Sequence, residues 1–386
     1  MTTDASNSHN IDGTCDPRME DVRAAFTKNF DDGLEVGASV CVIKDGETLV
    51  DLWGGHVDEA KTAPWTKDTI TNVWSTTKTM TALSALILGD RGELNFDAPV
   101  ATYWPEFKAN GKEDVLVRHL MAHTAGLPAW EEPITEEDTW DWEKCTSLLA
   151  SQAPWWEPGT KSGYHALTQG YLVGEVVRRV AGETVGTFFR NEVAQPLGAD
   201  FHIGLASEHD HRVARVIPPP TPLFDVLDPN ANDIVKRMGN PAIGAEASWT
   251  EGWRRAEVPA AGGHGNARSV ATAQSALSHG GTVNGTTILS EAGCHKVFEE
   301  QCYGIDLVLG MSLRHGIGYG LNSPEMPIGG NDKTCFWGGW GGSIIINDLE
   351  SKLTIAYVMN KMGEGTTGDL RGGAVAFAAM IAASSL

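Results

Sequence analysis

The chain carries strand-like segments at both of its ends and helix-like segments between them. Residues 36–55 contain two runs rich in β-branched side chains around a turn at residues 44–46, a pattern that predicts a hairpin. Residues 343–347 and 353–359 predict a second strand pair, and an Ala-rich helix over about residues 373–383 ends the chain. Strands so far apart in sequence can share one sheet only if the chain between them folds as an insertion.

We therefore predict an α/β protein of the α+β type with two parts, as expected for 386 residues when single cores stop growing near ~250–300 residues. An antiparallel sheet with flanking helices is expected from residues 1–70 and 305–386. A mainly helical domain is expected from residues 71–304, with the active site at the seam. The helices predicted in that domain are 79–88, 114–122, 140–151, 167–181, 185–193 and 269–277.

Composition excludes several classes of protein. A formal net charge of -21 repels nucleic-acid phosphates and anionic lipids. The apolar runs are shorter than the ~18 residues of a membrane span, and the polar, acidic residues 1–19 lack the features of a secretory signal. Six cysteines without a CxxC pattern indicate neither a zinc site nor a disulfide framework. We expect a cytoplasmic protein with a loose N-terminal arm, no metal or cofactor, and no nucleic-acid or membrane partner; its oligomeric state stays open.

Ser75 and Lys78 stand at the start of a predicted buried helix. They are three positions apart, so both side chains lie on one face of that helix. A serine and a lysine at this spacing also occur by chance in surface helices, but apolar residues at positions 80, 83, 86 and 87 indicate burial. Burial lowers the pKa of a lysine, and a neutral amine can act as a base. Ser75 is therefore the candidate nucleophile and Lys78 the candidate proton acceptor.

Two further segments supply candidate groups. Tyr164 follows a Pro/Gly-rich loop, and its hydroxyl is either a proton shuttle or only a packing and hydrogen-bonding group. Residues 337–342 contain four glycines directly before an apolar strand. This segment either forms a plain glycine turn or lets a ligand approach the backbone closely. In the second case, the amides of Trp340 and Ser75 would form an oxyanion hole.

These motifs, in this order, resemble the class C β-lactamase and penicillin-binding superfamily and, most closely, the family VIII carboxylesterases. The resemblance rests on Ser75-x-x-Lys78, on the tyrosine motif at Tyr164, and on the glycine-rich Trp337-Gly338-Gly339. The resemblance implies a β-lactamase/transpeptidase-like fold, an acylated Ser75, and proton transfer by Lys78 and Tyr164.

Supporting segments extend the resemblance over about residues 20–380. Three further segments resemble sequence motifs of the same superfamily: residues 120–128, 196–198 and 263–269. The resemblance also implies that the amides of Ser75 and Trp340 stabilise the oxyanion. It implies no metal and no cofactor.

Two departures from the β-lactamase pattern bear on the substrate. The tyrosine motif reads Tyr164-His165-Ala166 and lacks an asparagine, and Trp337-Gly338-Gly339 replaces Lys-Thr-Gly. The groups that would hold the amide and carboxylate of a β-lactam are therefore missing. We expect hydrolysis of a small-molecule, short-chain carboxylic ester. The alternatives are a β-lactamase or D-amino-acid peptidase, an acyltransferase, and a non-catalytic binding protein of the same fold.

The expected substrate-binding residues come mainly from the tryptophans near these motifs. Pockets are lined mostly by apolar and aromatic groups, although tryptophans are also common core residues. The expected set is Trp130, Trp155, Trp156, His165, Trp337, Gly338 and Gly339. A histidine-based triad has no anchor, because no serine lies in a G-x-S-x-G turn.

Overall fold

The structure is a computed structural model that describes residues 9–221 and 232–386. Its strands are β1 (Asp12–Cys15), β2 (Gly37–Lys44), β3 (Glu47–Gly55), β4 (Thr71–Asn72), β5 (His264–Gly265), β6 (Thr282–Val283), β7 (Thr286–Thr287), β8 (Cys302–Ile305), β9 (Ser312–His315), β10 (Gly320–Leu321), β11 (Thr334–Gly338), β12 (Ile344–Asp348) and β13 (Leu353–Met359). Its α-helices are α1 (Glu20–Asp31), α2 (Thr77–Asp90), α3 (Val117–Met121), α4 (Trp142–Ser151), α5 (Thr168–Ala181), α6 (Val185–Phe189), α7 (Gln195–Leu197), α8 (Asp233–Lys236), α9 (Glu251–Arg255), α10 (Ala267–Ser278), α11 (Glu291–His295) and α12 (Leu370–Ala383).

One antiparallel sheet takes its strands from both ends of the chain. Within the described residues, nine strands are hydrogen-bonded in the order β1-β3-β2-β13-β12-β11-β10-β9-β8. The N-terminal and C-terminal strands meet at β2 and β13, where Val42 lies opposite Ile355. This confirms the expected sheet from both chain ends, while the division into domains at residues 70 and 305 stays a prediction.

The predicted hairpin is the β2–β3 pair. Lys44 lies opposite Glu47, and Asp45 and Gly46 between them have φ values of 50° and 84°. Two consecutive residues with positive φ match the twist of antiparallel strands, and Asp-Gly tolerates this geometry well.

Helices cover both faces of the sheet at its centre. Ser278 of α10 hydrogen-bonds to Thr354 of β13 at 2.6 Å, and Phe26 of α1 contacts Tyr357 with ring centroids 6.2 Å apart. Residues 354 and 357 point to opposite faces because side chains alternate along a strand. Every residue of β13 is accordingly buried.

The N-terminal segment differs from the expected loose arm. Residues 12–15 form the edge strand β1, in which Asp12 lies opposite Trp53 of β3, and α1 follows from Glu20. The expectation is therefore wrong for this part, and residues 1–8 lie outside the described residues. Across residues 9–221 and 232–386, none of the helices combines the length and apolarity that crossing a bilayer requires.

The helical region places one buried helix behind the site. α2 is buried from residue 77 to residue 88, and α5 packs beside it. Asn72 of β4 lies opposite His264 of β5, which fixes the chain as it enters α2. The predicted helix at 79–88 is therefore found, slightly longer at both ends.

Candidate active site

Ser75 lies in a tight turn that its neighbours hold in place. The turn, Trp74–Thr76, is a 3₁₀ helix directly before α2, and Trp74 has a φ of 50°, which bulky residues rarely adopt. The Thr77 hydroxyl donates to the Trp74 carbonyl at 2.5 Å, and the Trp74 ring packs edge-on against Trp340 with centroids 5.0 Å apart. Backbone in a rare conformation persists where its surroundings hold it, and it is frequent at functional sites.

Lys78 follows one turn along the helix and is buried. Its Nζ lies 3.1 Å from Ser75 Oγ and donates to the carbonyls of Ala166 at 2.7 Å and Ala260 at 3.0 Å. Burial holds the pKa of Lys78 well below its usual value. In its neutral form the amine has two N–H bonds for these two carbonyls, and its lone pair is then available to accept the Ser75 proton.

Tyr164 approaches Ser75 from the loop before α5. Its hydroxyl donates to Ser75 Oγ at 2.6 Å, and its ring centroid lies 4.8 Å from Lys78 Nζ. Burial raises the pKa of Tyr164, so the phenol stays protonated at neutral pH. The structure therefore brings Ser75, Lys78 and Tyr164 into direct contact.

Gly338 and Gly339 permit a close approach of backbone segments. A Cβ atom at Gly338 would lie 2.3 Å from the Thr367 carbonyl oxygen. A Cβ atom at Gly339 would lie 2.3 Å from the Val73 carbonyl oxygen and 3.3 Å from the Ser75 nitrogen. Neither glycine is part of the lining of the cavity beside Ser75. Both allow two backbone segments to approach closely, and their expected contact with substrate stays a prediction.

The amides of Ser75 and Trp340 are free to bind an oxyanion. Ser75 is in the first turn of its helix, where amides lack helical acceptors, and no oxygen of the described residues accepts a hydrogen bond from either amide. The turn after Trp340 is fixed, because Gly341 donates to the Gly365 carbonyl at 2.8 Å and accepts from Arg371 Nη2 at 2.6 Å. Such prepositioned donors can stabilise a tetrahedral intermediate.

A cavity of about 160 Å³ opens at Ser75. Its described lining contains no charged side chain. Apolar walls come from Trp130, Leu167, Val235, Met238, Ile243 and Leu309. The Asn240 side chain also lies there, but it donates to the Trp130 carbonyl at 2.7 Å and accepts from the Ile134 amide at 3.0 Å. The cavity suits a neutral, apolar group.

Of three tryptophans expected to bind substrate near residues 130–156, the structure brings one to the cavity. Trp130 lines it, whereas Trp155 and Trp156 do not. The Trp155 N–H donates to Glu131 at 2.9 Å, and the Trp156 N–H donates to the Lys161 carbonyl at 3.0 Å. The indoles of Trp155 and Trp156 fix the surrounding loops, and a contact of either ring with substrate stays a prediction.

His165 and Trp337 also lie outside the cavity lining. His165 is fully buried; its Nε2 accepts from the Leu127 amide at 3.0 Å, and its Nδ1 lies 2.5 Å from the Gly163 carbonyl oxygen. Burial lowers the pKa of His165 to about 4, so the ring is neutral and both nitrogens serve the backbone. The Trp337 ring packs beside Tyr164 with centroids 5.7 Å apart. Both residues support the site from behind, and their expected contact with substrate stays a prediction.

Two residues near the site were missed by sequence reasoning. The Ser343 hydroxyl lies 2.9 Å from the Val73 carbonyl oxygen, to which it donates, and 2.9 Å from Thr76 Oγ1. Asp306 accepts a hydrogen bond from the Tyr164 amide at 3.0 Å. The position of Ser343 directly after the glycine-rich segment was a usable signal, whereas nothing in the local sequence marks Asp306.

A family model and a curated relative both match most of the chain. The chain matches the family model described as Beta-lactamase over residues 25–380. It is similar to Esterase/beta-lactamase LipL of Mycobacterium tuberculosis, with 34% identity over 361 residues, 91% of this chain and 83% of LipL.

Two solved structures share the fold over nearly the whole chain. One, described as a family VIII carboxylesterase, is 41% identical, with a TM-score of 0.91 and coverage of 97% of this chain and 100% of the other. The second, a penicillin-binding protein homolog from Caulobacter crescentus, is 37% identical, with a TM-score of 0.90 and the same coverage, 97% and 100%. The fold is therefore β-lactamase/transpeptidase-like.

Proposed function

This chain belongs to the beta-lactamase family, and on that premise we propose that it is a serine carboxylesterase for neutral, short-chain esters. Proteins similar to it are described as an esterase/beta-lactamase and as a family VIII carboxylesterase. The chain is accordingly a hydrolase of the serine class. The ester substrate and the mechanism below are our proposals.

The observation that carries the proposal is the uncharged cavity that ends at Ser75. No lysine, arginine or histidine is found in its described lining. Recognition of a carboxylate usually depends on a cation or on several convergent donors. A neutral ester needs neither, and its acyl chain gains from the burial of apolar surface at about 25 cal/mol per Å².

Acylation begins with Lys78 as the base. The neutral amine accepts the Ser75 proton across 3.1 Å while Oγ attacks the ester carbonyl carbon. The carbonyl oxygen becomes negative and is stabilised by the amides of Ser75 and Trp340. The carbon–oxygen bond to the alcohol then breaks.

Tyr164 links the base to the leaving group. Its protonated hydroxyl, 2.6 Å from Ser75 Oγ, donates a proton to the departing alkoxide and regains one from the Lys78 ammonium. Water then attacks the acyl-enzyme and gives up a proton by the reverse route. The carboxylic acid leaves, and Ser75 recovers its hydroxyl.

Hydrolysis of β-lactams is the second candidate. The observation that favours it is the relative described as an esterase/beta-lactamase, which matches 91% of this chain. The uncharged cavity argues that such an activity would be slow, because the carboxylate of a β-lactam would be buried without a partner.

A substrate comparison tests the proposal. We expect p-nitrophenyl butyrate to be hydrolysed with a kcat/KM at least about 10²-fold above that of nitrocefin, about 2.7 kcal/mol of transition-state discrimination. An alcohol acceptor added at millimolar concentration should leave free acid as the main product. Faster turnover of nitrocefin would favour the β-lactamase, and a dominant transesterified product would favour an acyltransferase.

A further inference from the structure

Asp306 gathers three backbone amides onto a single carboxylate oxygen. It lies in the turn between β8 and β9 and is fully buried. Its Oδ1 accepts from the amide of Tyr164 at 3.0 Å, of Val308 at 2.9 Å and of Leu309 at 2.9 Å. Hydrogen bonds to a charged acceptor are roughly twice as strong as neutral ones. The Asp306 side chain thus holds its own turn and the loop that carries Tyr164 together.

Further backbone bonds close the same turn. Leu307 donates to the Ser162 carbonyl at 2.9 Å, two residues before Tyr164. Gly310 donates to the Asp306 carbonyl at 2.9 Å. The turn is therefore attached both to itself and to the loop that carries Tyr164.

The three amides belong to the cavity wall and to the loop that carries Tyr164. Val308 and Leu309 line the cavity that opens at Ser75. The Tyr164 hydroxyl is hydrogen-bonded to Ser75 Oγ. Asp306 itself does not line the cavity, so it reaches a substrate only through the residues that it holds.

On the basis of the proposed esterase function, we propose that Asp306 is a positioning residue that sets both the placement of Tyr164 and the acyl-chain preference of the cavity. Without its Oδ1, the Tyr164 backbone loses one anchor, and the Val308–Leu309 wall loses two. The rate of the chemical step and the selectivity for chain length then change together.

Substitution of Asp306 by asparagine or by alanine separates the loss of its negative charge from the loss of its acceptor oxygen. Asparagine offers one carbonyl oxygen in the place of Oδ1, whereas alanine offers none. The second carboxylate oxygen has no donor among the described residues, and it lies 3.9 Å from His315 Nε2. Asp306→Asn therefore keeps the three amide bonds, and Asp306→Ala loses all of them.

The control is a second buried aspartate of the same sheet. Asp348 Oδ1 accepts from the Ser351 amide at 2.9 Å, and its Oδ2 accepts from the Ser351 hydroxyl at 3.0 Å and from Asn331 at 2.8 Å. It also carries three hydrogen bonds, but it does not line the cavity. Asp348→Ala reports what the loss of such a cluster does to stability alone.

The experiment compares kcat and KM for p-nitrophenyl butyrate and octanoate in the folded variants. For Asp306→Ala we expect kcat on butyrate to fall at least about 10-fold and the octanoate-to-butyrate ratio of kcat/KM to change at least about 5-fold, since small misplacements near a reacting group are costly. Asp306→Asn should restore both values to within about 3-fold of wild type, and Asp348→Ala should leave the ratio unchanged. An unchanged ratio in Asp306→Ala, or no rescue by Asp306→Asn, would overturn the inference.

Hydrogen exchange of the wild type keeps the inference testable if Asp306→Ala does not fold. We expect the amides of Tyr164, Val308 and Leu309 to be protected to a similar degree, as members of one cooperative unit. Rapid exchange at residues 308–309 beside slow exchange at Tyr164 would contradict it. Failure of the proposed function has a different signature, because the wild type would then hydrolyse neither ester.

Discussion

Replacing Lys78 by methionine tests whether the Lys78 amine acts as a base or only supports the structure. Methionine keeps the length and apolar stem of the side chain and removes the base. Ser75 then loses its proton acceptor at 3.1 Å. General bases contribute about 10²–10⁴-fold to rates, so we expect kcat/KM for p-nitrophenyl butyrate to fall by that factor.

The stability of Lys78→Met follows from two opposing contributions. A lysine that is neutral in the folded protein costs about 4.6 kcal/mol at pH 7, because about 3.4 pH units separate pH 7 from its ordinary pKa. Methionine removes this cost but leaves the carbonyls of Ala166 and Ala260 without that donor, at about 1–3 kcal/mol each. The free energy of unfolding at pH 7 should therefore stay within about 3 kcal/mol of wild type.

The pH dependence is the sharper signature. Because burial lowers the pKa of Lys78 in the folded state, the unfolded chain binds up to one more proton between that lowered pKa and the ordinary lysine pKa. Stability due to this residue therefore falls as pH falls. Relative to Lys78→Met, the wild type should gain about 1.4 kcal/mol per pH unit, or about 2.7 kcal/mol from pH 7 to pH 9.

Urea unfolding at pH 7, 8 and 9, together with ester hydrolysis, measures both effects. Lys112→Met is the matched control, since Lys112 is also buried and donates to the Ala109 carbonyl at 2.8 Å, but its hydrogen bonds go to backbone carbonyls away from Ser75. This control should keep kcat/KM within about 2-fold of wild type. A stability difference between wild type and Lys78→Met that is flat with pH would mean that Lys78 is charged when folded, and would refute the assignment of Lys78 as the base.

Three further substitutions test other parts of the site. Tyr164→Phe removes the donor 2.6 Å from Ser75 Oγ, and steady-state kinetics should show kcat lower by about 10²–10⁴-fold. Gly339→Ala places a Cβ atom 2.3 Å from the Val73 carbonyl oxygen; stopped-flow acylation should slow by about 10²-fold as the oxyanion donors shift. Ile243→Ala enlarges the cavity and should raise the octanoate-to-butyrate ratio of kcat/KM by about 10-fold, while thermal or urea unfolding shows a loss of about 2–5 kcal/mol.

Each of these substitutions has either an outcome that would contradict it or a control. Tyr164→Phe with wild-type kcat would remove Tyr164 from the proton relay. Gly373→Ala is the control for Gly339→Ala, because a Cβ atom at Gly373 in α12 meets nothing within 4 Å, and acylation should be unchanged. A chain-length preference unaltered in Ile243→Ala would show that acyl groups bind elsewhere.

The elements that the sequence predicts well are those determined by local chemistry. The β2–β3 turn has Asp45 and Gly46 at positive φ, and few other dipeptides favour that geometry. Strand β13 matches the predicted range 353–359, because it is a continuous apolar run between turn residues. Ser75 and Lys78 likewise share a helix face through their spacing alone.

Some elements are too short to show a hydrophobic pattern, and α1 has a pattern that our predictions do not include. β10 (Gly320–Leu321) has two residues, too few for any periodicity to appear. α1 does carry a usable signal, since Val22, Phe26 and Phe30 recur every four residues and are buried.

The cavity shows why nearness in sequence misleads. Trp155 and Trp156 lie close to Tyr164 in the chain but face other loops, whereas Ile243 comes from a distant segment and lines the cavity. Asp306 and Tyr164 are 142 residues apart, and their contact exists only because the sheet and the helical region meet. Such contacts depend on tertiary structure, which no local pattern encodes.

Covalent labelling identifies the nucleophile of the protein. The protein is treated with a fluorophosphonate or a slowly hydrolysed ester, digested, and analysed by mass spectrometry. We expect one label per chain, on Ser75, no label in Ser75→Ala, and much slower labelling in Lys78→Met. A label on another residue, or equal labelling of Ser75→Ala and wild type, would contradict it.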